Sequence, residues 1–256
     1  MSAPASTTPS IGLLRPEWPA ISGVRAAVTL RTGGVSGGPF ASLNLSAHVG
    51  DDPVAVRANR GRVRQALALP GEPAWLEQVH GTRVIVLRPG VSAGRADAAV
   101  TASSGLVCAI QVADCMSVLF AARDGSEVGA AHAGWRGLAG GVLEATVRAL
   151  ATPPSKLQAW LGPAIGPEHF EVGEEVRRAF LDSDTAAAGA FAPNARGRWQ
   201  CDLYALARLR LKRLGVHSVH GGGWCTFADA ARFFSYRRDG RCGRMAALIW
   251  IEAAPS

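Results

Sequence analysis

The 256-residue sequence has few charged residues and no long uncharged hydrophobic run. Hydrophobic residues make up 48% of the chain and charged residues 18%, which excludes a disordered or fibrous protein and allows a packed core. No apolar stretch reaches the roughly 18–20 uncharged residues that a membrane span needs. The first ten residues, MSAPASTTPS, lack both the basic start and the apolar segment of a signal peptide. We therefore expect a soluble cytoplasmic protein that has no membrane partner.

Lysine is nearly absent from the basic residues. Of the 27 basic residues only Lys156 and Lys212 are lysines, and the 25 arginines are scattered in runs of no more than two. Composition bias explains this ratio better than a selected basic face does. The formal charge of +7 therefore does not indicate a nucleic-acid partner.

The cysteines lack the spacing of a disulfide framework or of a structural zinc site. Their number is odd, they are widely spaced, and no C-x-x-C pair occurs. We expect free thiols in a reducing compartment, most of them as small buried side chains. The five residues are Cys108, Cys115, Cys201, Cys225 and Cys242.

Short apolar segments alternate with amphipathic ones, a pattern that predicts an α+β fold. The predicted strands span residues 82–87, 106–112, 117–122, 127–132 and 245–251. The predicted helices span residues 54–69, 138–150, 171–180 and 202–214. We expect a single layered domain of mixed β-sheets flanked by helices.

The predicted domain covers residues 13–256 and follows a disordered tail at residues 1–12. The Ala- and Gly-rich stretch at 182–198 is predicted to be a long surface loop inserted within this domain. The sequence leaves the oligomeric state of the protein open, and a monomer is compatible with it.

Three apolar segments each end in a reactive side chain beside a small residue or an aspartate. They are QVHG, QVADC and AAHAGWRG, and their reactive residues are His80, Cys115 and His132. Strand ends backed by small residues are where sites form on α/β scaffolds. Two imidazoles and a thiolate form the three-ligand set of a catalytic zinc site, in which Asp114 is a candidate to orient a histidine or act as general base. The alternative is that each residue is an ordinary strand-end or core side chain.

Two further segments indicate anion binding. After His132 the chain runs through GWRG into a predicted helix, where free N–H groups and Arg136 can hold phosphate. The segment SYRRDG, followed by Gly243-Arg244, places arginines around a predicted turn at Asp239-Gly240. The alternatives are a tight strand-to-helix turn at the first segment and an exposed hairpin tip at the second.

Taken together, these motifs resemble the YfiH-like family, historically labelled polyphenol oxidase or laccase-domain proteins and now regarded as purine nucleoside phosphorylases. The resemblance runs from about residue 29 to residue 251. It covers SLNLSAHVGDDP, QVHG, ADAAVT, ADC, AHAGWRG, LGPAIGP with EVG, and FFSYRRDGRCGR, in that order. One departure is visible, because the family often has Cys-Tyr where this chain has His169-Phe170. That departure leaves the role of the position open.

The resemblance implies a metal site at His80, Cys115 and His132. The donor set favours zinc, and copper is the alternative. It implies phosphorolysis of adenosine, inosine, guanosine and methylthioadenosine, with purine nucleoside and inorganic phosphate as partners, and deamination of adenosine. We assign catalysis to His80, Asp114, Cys115 and His132. We assign substrate or phosphate binding to six residues: Asn44, Arg60, Arg136, Tyr236, Arg237 and Arg244.

A true multicopper laccase is excluded by ligand count. A multicopper oxidase needs a blue-copper site, which itself takes two histidines and a cysteine, and a trinuclear cluster whose histidines commonly occur in His-x-His pairs. This chain has six histidines and no such pair. Two alternatives remain beside phosphorolysis: an amide hydrolase that edits peptidoglycan precursors, with Cys115 as nucleophile, and a non-catalytic metal-binding protein.

Overall fold

Two large β-sheets form the centre of the molecule in a computed structural model, which describes residues 10–253. The predicted tail at 1–12 therefore lies mostly outside the described residues. At its end, Gly12 already exchanges backbone hydrogen bonds with Thr32 and Leu30.

The strands of the described chain are short, and only two of them reach seven residues. They are β1 (Leu13–Leu14), β2 (Val24–Thr29), β3 (Ala74–Trp75), β4 (Val84–Val86), β5 (Ala98–Thr101), β6 (Val107–Val112), β7 (Met116–Ala122), β8 (Val128–Ala133), β9 (Leu157–Leu161), β10 (Glu171–Val172), β11 (Phe191–Pro193), β12 (Trp199–Cys201), β13 (Ser218–Gly221) and β14 (Met245–Ile251).

The helices of the described chain lie between these strands. They are α1 (Pro53–Leu67), α2 (Trp135–Gly140), α3 (Val142–Ala149), α4 (Glu174–Leu181), α5 (Leu203–Arg213) and α6 (Tyr236–Asp239), with 3₁₀ turns at Gly38–Phe40, Pro154–Lys156 and Thr185–Ala190.

The first large sheet has the strand order β1-β2-β14-β6-β3, and the second has the order β13-β9-β7-β8-β5-β4. Pairing is mostly antiparallel, but β3–β6, β4–β5 and β9–β13 are parallel. Inner-face residues of both sheets, such as Ile110, Leu119 and Ile249, share one apolar cluster. Helix α1 packs on the outer face of the first sheet, and α3, α4 and α5 pack on that of the second. The predicted layered α+β fold with mixed sheets is confirmed.

Side-chain caps explain where α1 and α5 begin. The carboxylate of Asp52 accepts a hydrogen bond from the backbone N–H of Val54 and caps α1, and Asp202 caps α5 through the N–H of Ala205. The prediction of a single helix over residues 138–150 was wrong. The chain forms α2 and α3 because Gly141 takes a left-handed φ of +97° between them.

Two predicted loop features were wrong. The stretch at 182–198 contains a 3₁₀ turn and β11, which joins β12 and β10 in a small third sheet. The predicted turn at Asp239-Gly240 is the end of α6, which the side chain of Ser235 caps through the N–H of Arg238. Segment 171–180, predicted as one helix, divides into β10 and α4.

No described helix is long and apolar enough to cross a membrane.

Strand β7 contributes side chains to the apolar clusters on both sides of its sheet. Phe120 packs toward the helices and Leu119 packs toward the first sheet. Phe120 is fully buried. We expect Phe120→Ala to lower the free energy of unfolding by about 3–5 kcal/mol, since it leaves a cavity. Denaturant unfolding measures this change. Val54→Ala, at a position 62% exposed, is the control and should shift stability by no more than about 0.5 kcal/mol. Equal losses in both variants would contradict this account of the core.

Candidate metal centre

Cys115 lies where the chain crosses from one large sheet to the other. Strand β6 ends at Val112 in the first sheet and β7 begins at Met116 in the second. Asp114, within this crossover, has a left-handed φ of +86°. Backbone of this kind in a non-glycine residue is held by its surroundings and often marks a functional site. The crossover therefore fixes the sulfur at the adjoining ends of β6 and β7, between the two sheets.

His132 reaches the same place through strand pairing. It lies on β8 opposite Ser117 of β7, which brings it beside the start of β7 and thus beside Cys115. On its other side, β8 pairs with β5, and the backbone N–H of His132 donates to the carbonyl of Asp97 at 2.7 Å. The imidazole is buried, with 3% of its surface exposed.

Asp97 holds both histidines, and Asp97 was not among the predicted site residues. Its carboxylate accepts a hydrogen bond from His132 Nδ1 at 2.9 Å. It also accepts backbone N–H bonds from Val79, His80 and Gly81 at 3.2, 2.8 and 2.7 Å. These bonds hold His80 at a left-handed φ of +61°. One carboxylate therefore sets the orientation of one imidazole and the backbone of the loop that bears the other.

The three predicted ligands converge. A ligand atom from each of His80, Cys115 and His132 lies within 4.8 Å of the others. Cys115 Sγ is 3.7 Å from His80 Nε2, and the two imidazole rings meet edge to face with centroids 4.7 Å apart. A Cβ on Gly134 would lie 2.7 Å from Cys115 Sγ. Any residue larger than glycine at position 134 would clash with the sulfur.

The donors suit a borderline-soft cation such as zinc. Because His132 donates its Nδ1–H hydrogen bond to Asp97, its Nε2 is available as a ligand. Two imidazole nitrogens and one thiolate leave a fourth tetrahedral position open, as in catalytic zinc sites. Within residues 10–253 this is the one cluster of three ligating side chains.

The charges of the cluster are strongly coupled. Burial alone would raise the pKa of the Cys115 thiol, but the charges and hydrogen bonds of His132 and His80 lower it to about 6. Burial would lower the pKa of His132, but the Cys115 thiolate and Asp97 raise it to about 9. For Asp97, the hydrogen bonds from His132 and the backbone outweigh burial and lower the pKa. The cluster thus favours a thiolate beside an imidazolium in the absence of metal.

The sequence suggested that Asp114 orients a histidine. In the structure Asp97 orients His132 instead. Asp114 Oδ1 accepts from the hydroxyl of Thr226 at 2.6 Å, and Oδ2 accepts from the backbone N–H of Arg237 at 2.6 Å. Sequence adjacency to Cys115 was misleading because the side chain of Asp114 points toward a different segment.

A cavity of about 430 Å³ opens beside the three ligands. Two of the six predicted binding residues, Tyr236 and Arg244, line it. Several other lining residues were not predicted, although most of them fall within the sequence blocks that carry the family resemblance. They are Ser46, His48, Val49, Leu76, Gln78, Gln111, Val112 and Ala113.

The other four predicted binding residues do not line this cavity. Asn44 is buried and its side-chain oxygen accepts from the backbone N–H of Arg244. Arg60 donates twice to the carbonyl of Leu45 and stacks on Trp75.

The remaining two predicted arginines also point elsewhere. Arg136 stacks on its neighbour Trp135, on a helix of only six residues. Arg237 donates to the carbonyl of Glu171 and lies over Phe170.

Comparison with known proteins gives one consistent result. Residues 25–252 match a family model described as multi-copper polyphenol oxidoreductase laccase. A purine nucleoside phosphorylase of Pseudomonas aeruginosa is 55% identical over 93% of this chain and 98% of its own length. One of Escherichia coli is 51% identical over the same shares.

Solved structures agree with the sequence relatives. A Neisseria meningitidis protein superposes with a TM-score of 0.90 at 50% identity, covering 94% of this chain and 100% of its own. YlmD of Geobacillus stearothermophilus superposes with a TM-score of 0.84 at 34% identity, covering 94% and 97%. The chain belongs to the family that the polyphenol oxidoreductase laccase model describes, whose similar members include proteins named purine nucleoside phosphorylase.

Proposed function

We propose that this protein is a purine nucleoside phosphorylase acting on adenosine, inosine, guanosine and methylthioadenosine. The observation that carries the proposal is the cavity in which His80, Cys115 and His132 face Arg244 and Tyr236. Its volume of about 430 Å³ suits a small polar molecule. The names of the similar proteins support the same activity.

Arg244 is the group proposed to hold phosphate. Its Nη1 donates to the carbonyls of Cys242 and Gly243, while within residues 10–253 its Nη2 makes no hydrogen bond. Asn44 positions it through the backbone bond of 2.9 Å. The Nε–Nη2 edge of the guanidinium, which makes no hydrogen bond within residues 10–253, can bind phosphate in bidentate fashion. Tyr236, 60% exposed, offers a ring face on which a purine or ribose can stack.

Phosphorolysis needs an anion near the anomeric carbon and a proton donor near the departing base, because the transition state resembles an oxocarbenium ion. Arg244 would bring the phosphate. The imidazoles of His80 and His132 would polarise or protonate the base. Asp97 would stabilise the positive charge on His132 throughout, since it accepts a hydrogen bond from Nδ1 while it stays ionised.

Zinc is the metal we propose for His80, Cys115 and His132, and copper is the alternative that the same donors allow. When bound, zinc supplies a Lewis acid and lowers the pKa of a bound water. Each imidazole Nε2 can then serve either as a ligand or as a proton carrier, but not as both at once. Adenosine deamination is a further prediction for this centre. Asp114 would support it by positioning the crossover, since both of its carboxylate oxygens are already engaged.

A second function, amide hydrolysis, is favoured by one observation. Cys115, with its lowered pKa, lies beside His132, which Asp97 orients. That is the arrangement of a cysteine nucleophile with a base and an orienting carboxylate. We also propose a cytoplasmic location, which the five free cysteines support.

Inosine turnover with and without phosphate tests the first proposal. We expect hypoxanthine and ribose 1-phosphate only when phosphate is present, and at least about 100-fold less with Cys115→Ala, because the variant loses the central side chain. Chromatography of both products measures this. Release of the base without phosphate would contradict phosphorolysis. No release under either condition, with turnover of an amide substrate, would favour the hydrolase.

Replacing the two carboxylates separately tests their different roles. We expect Asp97→Asn to weaken zinc binding by about 10–100-fold, since it removes the charge that orients His132. Asp114→Asn is the matched control, and asparagine tolerates its left-handed backbone. It should change zinc affinity less than about threefold. Competition with a chromophoric chelator measures both affinities. A larger effect from Asp114→Asn would reverse the assignment.

Alkylation of Cys115 in chelator-treated protein tests the coupled charges. The thiolate fraction falls as pH drops through the thiol pKa, so a pKa lowered to about 6 keeps the reaction with iodoacetamide near its maximum at pH 7. An ordinary thiol, with a pKa of about 8.5, would react slowly there. Mass spectrometry of the Cys115 peptide gives the rate at each pH. A midpoint near the ordinary value would contradict the proposed thiolate, and added zinc should suppress the reaction.

A further inference from the structure

A second cysteine–histidine pair lies outside the metal centre. Cys225 Sγ is 3.5 Å from His169 Nδ1, although 56 positions separate the two residues in the sequence. His169 stands at the position where the sequence departs from the family pattern. The cavity at this pair shares no lining residue with the cavity at the metal centre.

The sulfur of Cys225 is surrounded by hydrogen-bond donors. The backbone N–H groups of Gly166 and Ala228 donate to Sγ at 3.2 and 3.4 Å. A Cβ on Gly166 would lie 3.2 Å from the sulfur, so glycine is what allows the first of these donors to approach. Donors aimed at a sulfur stabilise the negative charge that it carries when it acts as a nucleophile.

His169 is held in place as well. Its ring stacks on Phe227 with centroids 4.6 Å apart and an angle of 25° between the planes. Stacking limits rotation of the imidazole and keeps Nδ1 directed at the sulfur. An imidazole fixed beside a thiol is the arrangement that removes the proton of a cysteine nucleophile.

The pair opens to solvent, unlike three of the other four cysteines. Cys225 and His169 are half-buried and line a cavity of about 390 Å³. Cys108, Cys201 and Cys242 are buried, and burial raises the pKa of each thiol. Buried thiols of this kind are unreactive.

The walls of this cavity carry charges of both signs. Arg208 contributes a guanidinium, and Glu168 and Asp202 contribute carboxylates. Trp224 and Tyr204 add aromatic surface. A small molecule that carries both ammonium and carboxylate groups complements such a surface better than an anion or a purely apolar compound does.

We propose that Cys225 and His169 form a thiol–disulfide exchange site for low-molecular-weight disulfides of the amino-acid or peptide type. His169 Nδ1 takes the thiol proton, and the sulfur attacks one sulfur of the disulfide. A bond forms between Cys225 Sγ and that sulfur while the original S–S bond breaks. The leaving thiolate takes the electron pair and receives the proton from His169. The products are a mixed disulfide on Cys225 and one free small thiol.

Glutathione disulfide is the probe that tests this site. The experiment uses the full chain carrying Cys115→Ala, so that the metal-centre thiol does not compete. We expect one mixed disulfide, mapped to Cys225 by mass spectrometry and reversed by dithiothreitol. The further change Cys225→Ser should abolish it. Absence of an adduct on Cys225 in the folded protein, under conditions that modify a small thiol, would overturn the proposal.

The role of His169 is tested in the same background. We expect His169→Phe, which keeps the stacking on Phe227, to slow adduct formation by about tenfold or more, because no base remains. His169→Gln serves as a second variant if the first does not fold, and far-UV circular dichroism checks both. His217→Phe, at an exposed histidine elsewhere, is the matched control. Equal rates in the His169 and His217 variants would overturn the pairing.

Discussion

The arrangement of the candidate metal centre depends on the carboxylate of Asp97. It is fully buried and accepts four hydrogen bonds, one from His132 and three from the backbone between Val79 and Gly81. A buried charge is tolerated only when it is paired and hydrogen-bonded. Here the pairing fixes the imidazole on β8 and the left-handed backbone at His80 together. Loss of that one charge would release both histidines.

The remaining ligand is fixed by topology. The strand order places β6 and β7 in different sheets, so the three residues between them must turn from one sheet to the other. Asp114 stabilises this turn by bonding to Thr226 and to the backbone of Arg237. The crossover that bears the sulfur is thereby tied to the segment before β14, which also supplies Tyr236 and Arg244 to the cavity. The hydrogen bonds of Asp114 therefore hold both the crossover that bears Cys115 and this part of the cavity wall.

The sequence was sufficient for the parts of this arrangement that local patterns encode. The reactive residues His80, Cys115 and His132 could be singled out because each follows an apolar segment and adjoins a small residue or aspartate. Strand β14 was predicted with its observed bounds. Asp97 could not be found in this way, because its proximity to His132 arises from the register between β5 and β8. Arg60 and Arg136 look like phosphate ligands by residue type, but their side chains stack on tryptophans, and residue type alone does not show where a side chain points.

The chemistry of the centre depends on whether the sulfur of Cys115 is a free thiolate or a metal ligand. In the absence of metal, the coupled charges favour a thiolate beside an imidazolium, which suits a nucleophile. With zinc bound, the same sulfur is a ligand and the imidazoles give up their free Nε2 atoms. If this centre binds zinc, the free and the zinc-bound states would favour different reactions at one site. If the metal only occupies the centre, removing it raises turnover. If phosphorolysis uses its Lewis acidity, removing it abolishes turnover, and readdition of zinc restores it.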